Sequence, residues 1–247
     1  MKISLAVCTH NEGHYVKDLL GQLVEIKRQS IPDSFEIIVV DDFSIDPTTL
    51  FAFKQYENDI TVTQHALNND FSTHKNFLNG QCSADWILNL DADERLPDGF
   101  LDNLHLILEA NPLIDAYWLP RVNVVDNLTL EHVRKWGWVI SSLEGFTTSQ
   151  YMPQLKVYEL LKAYDLIVAE TEDVWITYKE PIVQWPDPQM RLYRNRPEIR
   201  WEGKVHEQLT GYSQYSMFPH DPQFAIIHRK TISRQEVQNA YYSTLQR

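Results

Sequence analysis

The chain has 247 residues, of which 43% are hydrophobic and 23% are charged, a composition typical of a globular protein. A chain of this length can bury a sizeable core, as one large domain or as a domain with an appendage. Its formal charge of −12 argues against a broad nucleic-acid surface. The charge is uneven, however, because residues 190–234 hold 8 Lys and Arg against 4 Asp and Glu. This basic segment is a candidate phosphate site or an ordinary solvated surface.

The sequence contains no run that approaches the roughly 18 apolar residues of a membrane span. Its start, MKISLAVCTHNEGHY, turns polar after a short apolar run, which predicts a first strand rather than a signal peptide. Cys8 and Cys82 are too few for a disulfide framework and fall in apolar segments, so free thiols are expected. These features predict a cytoplasmic protein without stable membrane insertion.

The predicted elements alternate between strand and helix. Residues 3–8 (ISLAVC) form a continuous apolar run, typical of a strand buried on both faces, and a helical apolar spacing follows. Residues 35–40 (FEIIVV) predict a second strand, after which Asp46 is expected to cap a helix with Pro47 at its first position. The pattern then predicts a strand near 60–64, a helix around 73–82, a strand at 86–90, a helix at 98–110 and a return to the sheet at 116–125.

This alternation predicts an α/β fold with a mostly parallel, Rossmann-like sheet flanked by helices. Ligands of such sheets gather at the carboxyl ends of the strands, and three of those ends read THNE, DDFS and DADE. After residue 126 the pattern loosens, with a predicted helix at 155–164 and an aromatic, basic block at 185–212. The polar strand ends are the first indication of a functional site.

Asp91 and Asp93 follow the strand at 86–90 and are two residues apart, so an extended backbone places both on one face. Neighbouring carboxylates repel unless a positive charge lies between them. A divalent cation meets that need, since Mg2+ binds one or two carboxylates together with substrate phosphate oxygens. The alternative is an acidic loop with Arg95 as its ion-pair partner.

The residues at each neighbouring strand end are suited to two different roles. Asp41 and Asp42 are suited to accept a hydrogen bond from a base or a ribose, or to serve as turn acids. Thr9, Asn11 and Glu12 are suited to line a nucleotide cleft or to cap the first helix.

Two later segments carry histidines beside groups suited to proton transfer. His206 and Glu207 stand in GKVHEQL, and His228 follows an apolar run in FAIIHRK. A neutral imidazole can ligate a metal, and a carboxylate can take a proton from a hydroxyl.

Together these pieces resemble the family 2 glycosyltransferases, which have the GT-A fold. The matching segments are ISLAVCTHNE, EIIVVDDFS, HKNFLNGQCSADWILNLDADERLP and WPDPQMRLYRN…IRWEGKVHEQL, in the family's order. They cover about the first 125 residues and again 183–230. The Trp-Pro-Asp and Val-His-Glu blocks, with KWGW upstream, look like members encoded by bacteriophages and by bacterial surface-sugar clusters.

The resemblance implies roles for most of these residues. Asp91 and Asp93 match the family's D-x-D motif, which holds Mn2+ or Mg2+ against the diphosphate of a nucleotide-sugar such as a UDP-sugar. Asp93 is implied as a direct ligand, Asp91 as a metal-site residue facing the donor ribose or a water on the metal, and His228 as a late ligand. The residues implied to bind the donor are Thr9, Asn11, Glu12, Asp41, Asp42 and Lys75.

The family inverts the anomeric centre by direct displacement, so the resemblance implies a single catalytic base. Glu207 is the favoured base, Asp187 the second choice and Asp221 the third. Arg191, Arg194 and Lys204 are candidates to support phosphate or acceptor charge. The implied acceptor is a saccharide or a hydroxymethylated base in phage DNA.

The chain is divided into three parts on this reading. Residues 1–126 form the nucleotide-sugar-binding half, 127–182 contain an insertion, and 183–247 complete the same domain with acceptor and catalytic residues. The insertion at 139–182 is hypothesised to cover or shape the acceptor site, to mediate homo-oligomer formation or to form a packed appendage. The alternatives are an inactive nucleotide-sugar-binding module and a nucleotidyltransferase, although CTHNEGHYV lacks the Gly-rich phosphate loop expected of the latter.

Overall fold

The computed structural model describes residues 1–102, 104–141 and 182–245, so the predicted helix at 155–164 and most of the 139–182 insertion lie outside the described residues. The helices are α1 (His14–Gln29), α2 (Pro47–Gln55), α3 (Phe71–Gln81), α4 (Leu104–Ala110), α5 (Leu130–Trp136) and α6 (Ile232–Leu245). The strands are β1 (Ile3–Thr9), β2 (Phe35–Asp41), β3 (Thr61–Gln64), β4 (Trp86–Asp91), β5 (Glu94–Arg95), β6 (Ala116–Leu119), β7 (Arg121–Asp126), β8 (Ile140–Ser141), β9 (Ile182–Val183), β10 (Gln189–Arg194), β11 (Arg200–Glu202), β12 (Gln208–Thr210), β13 (Tyr215–Met217) and β14 (Ile226–Thr231).

Within the described residues, a central sheet has the strand order β13-β6-β10-β4-β1-β2-β3. Its β3, β2, β1 and β4 are parallel, and β10 is antiparallel between β4 and β6. Thr9 pairs with Asp41, and Cys8 pairs with Asp91, so the ends of β1, β2 and β4 meet at one edge. The predicted α/β sheet and the convergence of its polar strand ends are confirmed.

Both faces of the central sheet are covered, as the unbroken apolar runs predict. Residues of α1, among them Leu19, Leu20 and Leu23, are fully buried against one face. On the other face, Leu78 of α3 packs with the buried Trp201 of β11. Complete burial of a leucine side chain contributes about 1.5–3 kcal/mol, so these two layers hold the strands in a rigid frame.

The prediction of a cap at Asp46 is confirmed. The Asp46 carboxylate accepts a hydrogen bond from the Thr49 amide at 2.7 Å, and Pro47 opens α2. The predicted helix at 98–110 is wrong in its first turns, because α4 begins only at Leu104. Turn hydrogen bonds and a positive φ at Gly99 occupy the preceding residues.

The predicted strand at 116–125 is two strands that belong to different sheets. They are separated at Pro120, which has no amide hydrogen to donate to a ladder. Strand β6 stays in the central sheet, whereas β7 enters a second sheet of order β5-β14-β7-β9-β8. There His228 of β14 lies beside Asn123 of β7 and opposite Glu94 of β5. The second sheet therefore brings His228 to the exit of β4.

The described residues show no helix with the length and apolar character needed to cross a bilayer. Cys8 and Cys82 are free, as predicted, and burial raises the pKa of each thiol to about 12. Strands β10 and β13, from the last part of the chain, lie in the same sheet as β1 to β4. The proposed division at residues 126 and 182 stays a prediction.

Candidate active site

The carboxyl edge of the central sheet opens into a cleft of about 740 Å³. The predicted site residues that line it are Thr9, Glu12, Asp42, Lys75, Asp91, Asp93, Arg191, Glu207 and His228. Those that do not line it are Asn11, Asp41, Asp187, Arg194, Lys204 and Asp221. Residues from three separate strand ends and from the last quarter of the chain thus meet around one space.

Asn11 and Asp41 hold the loops at the cleft edge in place. The Asn11 Oδ1 atom accepts hydrogen bonds from the amides of Ile45 and Asp46, at 2.7 and 2.9 Å. The Asp41 carboxylate is buried and accepts from the amide and hydroxyl of Ser44. Asp41 is therefore a turn acid, the second of the two roles considered for it. Its neighbour Asp42 lines the cleft instead.

Two polar groups at this end of the cleft remain suited to a ligand. Asp42 lines the cleft and accepts a hydrogen bond from the Leu67 amide at 3.0 Å through Oδ1. Thr9 is buried, and within the described ranges its Oγ1 atom has no hydrogen-bond partner. A buried hydroxyl without a partner costs free energy unless a ligand or water satisfies it.

The acidic cluster at the end of β4 is neutralised by arginines from other strands. Arg191 of β10 is buried, donates to both oxygens of Asp91, and contacts Glu94 Oε1 at 2.6 Å. Glu94 is fully buried and also accepts from the Asp91 amide and from Arg121. Burial alone would raise the pKa of Asp91, but the charge of Arg191 outweighs it and holds that pKa well below the usual range. Arg191 is thus occupied by protein carboxylates.

Asp187 belongs to the same network rather than to the cleft wall. Its Oδ2 atom accepts from Arg121 at 2.7 and 3.0 Å and from Asn123 at 2.7 Å, while Oδ1 accepts from Gln189. Burial opposes ionisation, yet Arg121 and these hydrogen bonds lower the pKa of Asp187. A carboxylate held in this way is a weak proton acceptor. Its surroundings favour a structural role.

Asp93 faces two basic side chains from the end of the chain. Its Oδ2 atom lies 3.4 Å from His228 Nε2 and 3.2 Å from Arg234 Nε. Arg234 also binds Glu12 at 2.5 Å, so it spans two acids of the cleft. Burial would raise the pKa of Asp93, but His228 and Arg234 hold it well below the usual range. Asp93 is therefore a carboxylate.

The surroundings of His228 fit a metal ligand. The Asn123 amide nitrogen donates to Asp187, so the Asn123 oxygen accepts from His228 Nδ1 at 2.8 Å. This bond fixes the tautomer and directs Nε2 toward Asp93, an arrangement common in metal-binding histidines. Two acceptor atoms 3.4 Å apart need a proton or a cation between them.

The described residues contain no ready-made group of three His, Cys, Asp or Glu ligands. One carboxylate and one imidazole still suit Mn2+ or Mg2+, since these ions take much of their coordination from water and substrate phosphates.

Glu207 lies across the cleft, in the loop between β11 and β12. Its Oε1 atom is 2.6 Å from Lys75 Nζ, which also lies 4.5 Å above the Trp201 ring. Both side chains are largely buried. Glu207 is the one among the three base candidates that lines the cleft.

The third base candidate, Asp221, and the exposed Lys204 have roles outside the cleft. The Asp221 carboxylate is buried and caps a short 3-10 turn by accepting from the Gln223 amide. Lys204 uses its carbonyl to accept from the amide of Phe71, the first residue of α3. Neither residue lines the cleft.

The arginines of the basic segment are engaged within the protein. Arg194 donates to backbone carbonyls and packs on the Trp86 ring, and Arg196 binds Asp115. Arg191, Arg200, Arg229 and Arg234 each pair with an acid as well. Lys230 differs, because it lines the cleft without an ion pair to any described residue, and burial lowers its pKa to about 8.

Sequence reasoning missed several residues of the cleft. Arg121 and Arg234 neutralise its acids, while Trp201 and Tyr242 provide aromatic walls. The six acids of the strand ends, Glu12, Asp41, Asp42, Asp91, Asp93 and Glu94, were a signal that basic partners were needed. Nothing local indicated which arginines would supply them.

Comparison with known proteins identifies the family. The sequence profile of glycosyl transferase family 2 matches residues 4–159, well over half of the chain, and no curated protein sequence matches. The structure of S. aureus TarS residues 1–349 in complex with UDP-GlcNAc is similar, with 17% identity and a TM-score of 0.56. The alignment covers 93% of this chain and 59% of that one. The mannosyltransferase PcManGT from Pyrobaculum calidifontis, in complex with GDP-Man and Mn2+, aligns over 49% of this chain and 35% of its own, with 21% identity and a TM-score of 0.42.

The fold is therefore GT-A, a mixed α/β architecture built on a mostly parallel sheet with its cleft at the strand ends. The chain belongs to glycosyltransferase family 2. It spans 59% of the length of the TarS fragment that it resembles.

Proposed function

We propose that the protein transfers a sugar from a nucleotide-diphosphate donor to an acceptor hydroxyl, with inversion at the anomeric carbon and dependence on Mn2+ or Mg2+. The observation that carries this proposal is the Asp93–His228 pair, 3.4 Å apart in the cleft of a family 2 chain. Its polar strand ends and the carboxylate across the cleft support the same chemistry.

Residues at the ends of β1 and β2 are proposed to bind the nucleotide. Asp42 and the unpartnered Thr9 hydroxyl are available to accept from or donate to the base and ribose. Lys75, another donor-binding candidate in the cleft, carries a positive charge beside Glu207. Asn11 and Asp41 are assigned an indirect role, since they fix the loops.

Asp93 and His228 are proposed to hold the metal ion. Asp91, whose carboxylate is engaged by Arg191, is left to face the donor ribose or the water around the ion. When bound, a divalent ion neutralises the negative charge that grows on the departing diphosphate. Arg234 binds both Glu12 and Asp93 and adds positive charge to this side of the cleft.

Glu207 is proposed as the base. The acceptor oxygen forms a bond to the anomeric carbon, the bond from that carbon to the diphosphate oxygen breaks, and its electron pair leaves with the diphosphate. The acceptor proton passes to the Glu207 carboxylate. Lys75 contacts one oxygen of this carboxylate and positions it in the cleft.

A saccharide acceptor is favoured over phage DNA. The phage-like sequence blocks and the charge of the basic segment were the arguments for DNA, but the arginines of that segment bind acids and carbonyls of the same chain. A cytoplasmic location, homo-oligomer formation and a role of the 139–182 insertion remain predictions.

The test measures nucleoside diphosphate release from UDP-glucose, UDP-GlcNAc and GDP-mannose with Mn2+, Mg2+ or EDTA. The wild type should turn over one donor only with metal, and Asp93→Asn should abolish this turnover. Asp33→Asn is the matched control, because Asp33 is exposed before β2, at the opposite edge of the parallel strands. Its positive φ of 64° also suits asparagine.

A second pair of variants tests the base. Glu207→Gln should lose turnover but keep the metal-dependent rise in melting temperature on UDP binding, whereas Glu202→Gln, exposed on β11, should keep both. Donor binding without turnover by the wild type would favour the inactive binding module. Absence of both binding and turnover for every donor would overturn the proposal.

A further inference from the structure

We propose that Lys230 and Gln235 form an acceptor subsite that binds the anionic group of an acidic saccharide beside the transfer cleft. The inference rests on the proposed function, because it names the class of acceptor that the transferase would use. It stands on a second pocket, and on a buried cation and a buried amide oxygen that both lack a partner among the residues that the structure describes.

The second pocket adjoins the main cleft and has a volume of about 230 Å³. Arg121 and Lys230 line both spaces, so these two side chains form the boundary between them. Trp138 and Gln235 line only the second pocket. A ligand lying across the boundary would have one end in the transfer cleft and the other in this pocket.

Lys230 is 9% exposed, and its ammonium has no ion pair or hydrogen bond in the part of the chain that the structure describes. Its neighbour Arg121 is different, since Arg121 binds both Glu94 and Asp187. A buried charge costs free energy unless it is paired, and the other cations of this region each pair with an acid. The nearby carboxylates of Asp93 and Asp187, the latter in the wall of the second pocket, pair with Arg234 and Arg121, which leaves the Lys230 ammonium available to an anion of a ligand.

Gln235 is 7% exposed and supplies a second unsatisfied group. Its Nε2 atom donates to Asn239, but Oε1 has no partner within the described ranges. An amide oxygen accepts hydrogen bonds from hydroxyl groups, which a saccharide has in abundance. Trp138 adds an aromatic, apolar wall. Cation, amide and aromatic ring together suit a sugar that bears a carboxylate or phosphate.

The position of Lys230 favours the acceptor over the donor diphosphate. Lys230 follows His228 by two residues on β14, so the two lie on one face of the strand and roughly 7 Å apart along it. Of the residues proposed here to hold the nucleotide or the metal, none lines the second pocket. An anion bound by Lys230 and Gln235 therefore lies beyond the donor.

The test compares methyl β-D-glucuronide with methyl β-D-glucoside, which differ at the carboxylate, by NMR titration at pH 7. The wild type should bind the glucuronide at least 10-fold more tightly, and Lys230→Met should remove the preference. Lys230→Arg should retain it, as should Lys54→Met, which changes an exposed lysine of α2. Glucose 6-phosphate, run beside glucose, shows whether phosphate satisfies the same site.

Two further readouts separate this inference from the proposed function. Lys230→Met should leave UDP binding with Mn2+ unchanged, and its melting temperature should be no lower than that of the wild type, because the change removes an unpaired buried charge. Equal binding of charged and uncharged sugars by the wild type would overturn the inference while leaving the transferase proposal intact. Weaker UDP binding by Lys230→Met, with the sugar preference kept, would assign Lys230 to the donor and overturn it as well. Tight binding of a duplex DNA in place of either sugar would also contradict it.

Discussion

Replacing Arg191 by methionine should destabilise the fold strongly, because it leaves the buried Glu94 carboxylate without its main partner. Arg191 is 3% exposed and Glu94 is completely buried, with 2.6 Å between Arg191 Nη2 and Glu94 Oε1. Breaking a buried ion pair from one side costs about 3–5 kcal/mol. Arg121 remains 3.3 Å from Glu94, so the lower end, about 3 kcal/mol, is expected.

Thermal unfolding followed by tryptophan fluorescence measures the effect. For a chain of this size each kcal/mol lowers the melting temperature by about 2–4 °C, so Arg191→Met should lower it by about 6–12 °C. Arg200→Met is the matched control, because the Arg200–Glu202 pair lies on the surface, where such a pair contributes about 0–1 kcal/mol.

A second substitution tests the cause of the loss. Adding Glu94→Gln to Arg191→Met removes one buried charge, yet keeps an oxygen that accepts from the Asp91 amide. The double variant should therefore recover at least about 1 kcal/mol of the loss. If Arg191→Met unfolds no earlier than Arg200→Met, or if Glu94→Gln brings no recovery, the argument from buried charge is refuted.

Two further predictions concern groups away from the cleft. Burial opposes ionisation of Glu36, but hydrogen bonds from Lys2, Ser4 and Ser83 lower its pKa to about 2. Its contribution to stability is therefore present above pH 4.5 and lost as the pH falls toward 2, so the difference in free energy of unfolding between wild type and Glu36→Gln, measured by urea titration, should shrink over that range. Gly211→Ala should fail to give soluble folded protein by circular dichroism, because φ is +80° and a Cβ atom would lie 1.8 Å from a backbone carbonyl oxygen; folding with an unchanged melting temperature would contradict this.

The parts of the fold that could be predicted are those that short stretches of sequence determine. The apolar runs of β1 and β2 and the Asp46 cap depend on residues within one turn or one strand of each other. The break between β6 and β7 at Pro120 is equally local, because a proline inside a predicted strand indicates that the strand ends there. The false first turns of α4 followed from beginning the predicted helix at residue 98, before Gly99.

The site was predictable only on its acidic side. The spacing of Asp91 and Asp93 after a buried strand indicates a site. The basic residues that pair with these acids, however, lie far away in the chain. Arg191 is 100 residues from Asp91, and Arg234 is 222 residues from Glu12. No local pattern specifies such pairs. The register of β10 and the packing of α6 determine them.

The placement of β10 has a consequence for the order in which the chain assembles. Strand β6 cannot join β4 until β10 has been inserted between them. During synthesis, the edge of β4 therefore stays open while roughly a hundred residues emerge from the ribosome, and the edge of β6 facing β10 stays open for roughly seventy. Open edges are the places where nascent chains pair wrongly with one another. The need for chaperones in the cell should accordingly depend on the time that passes before residue 194, the end of β10, has been synthesised.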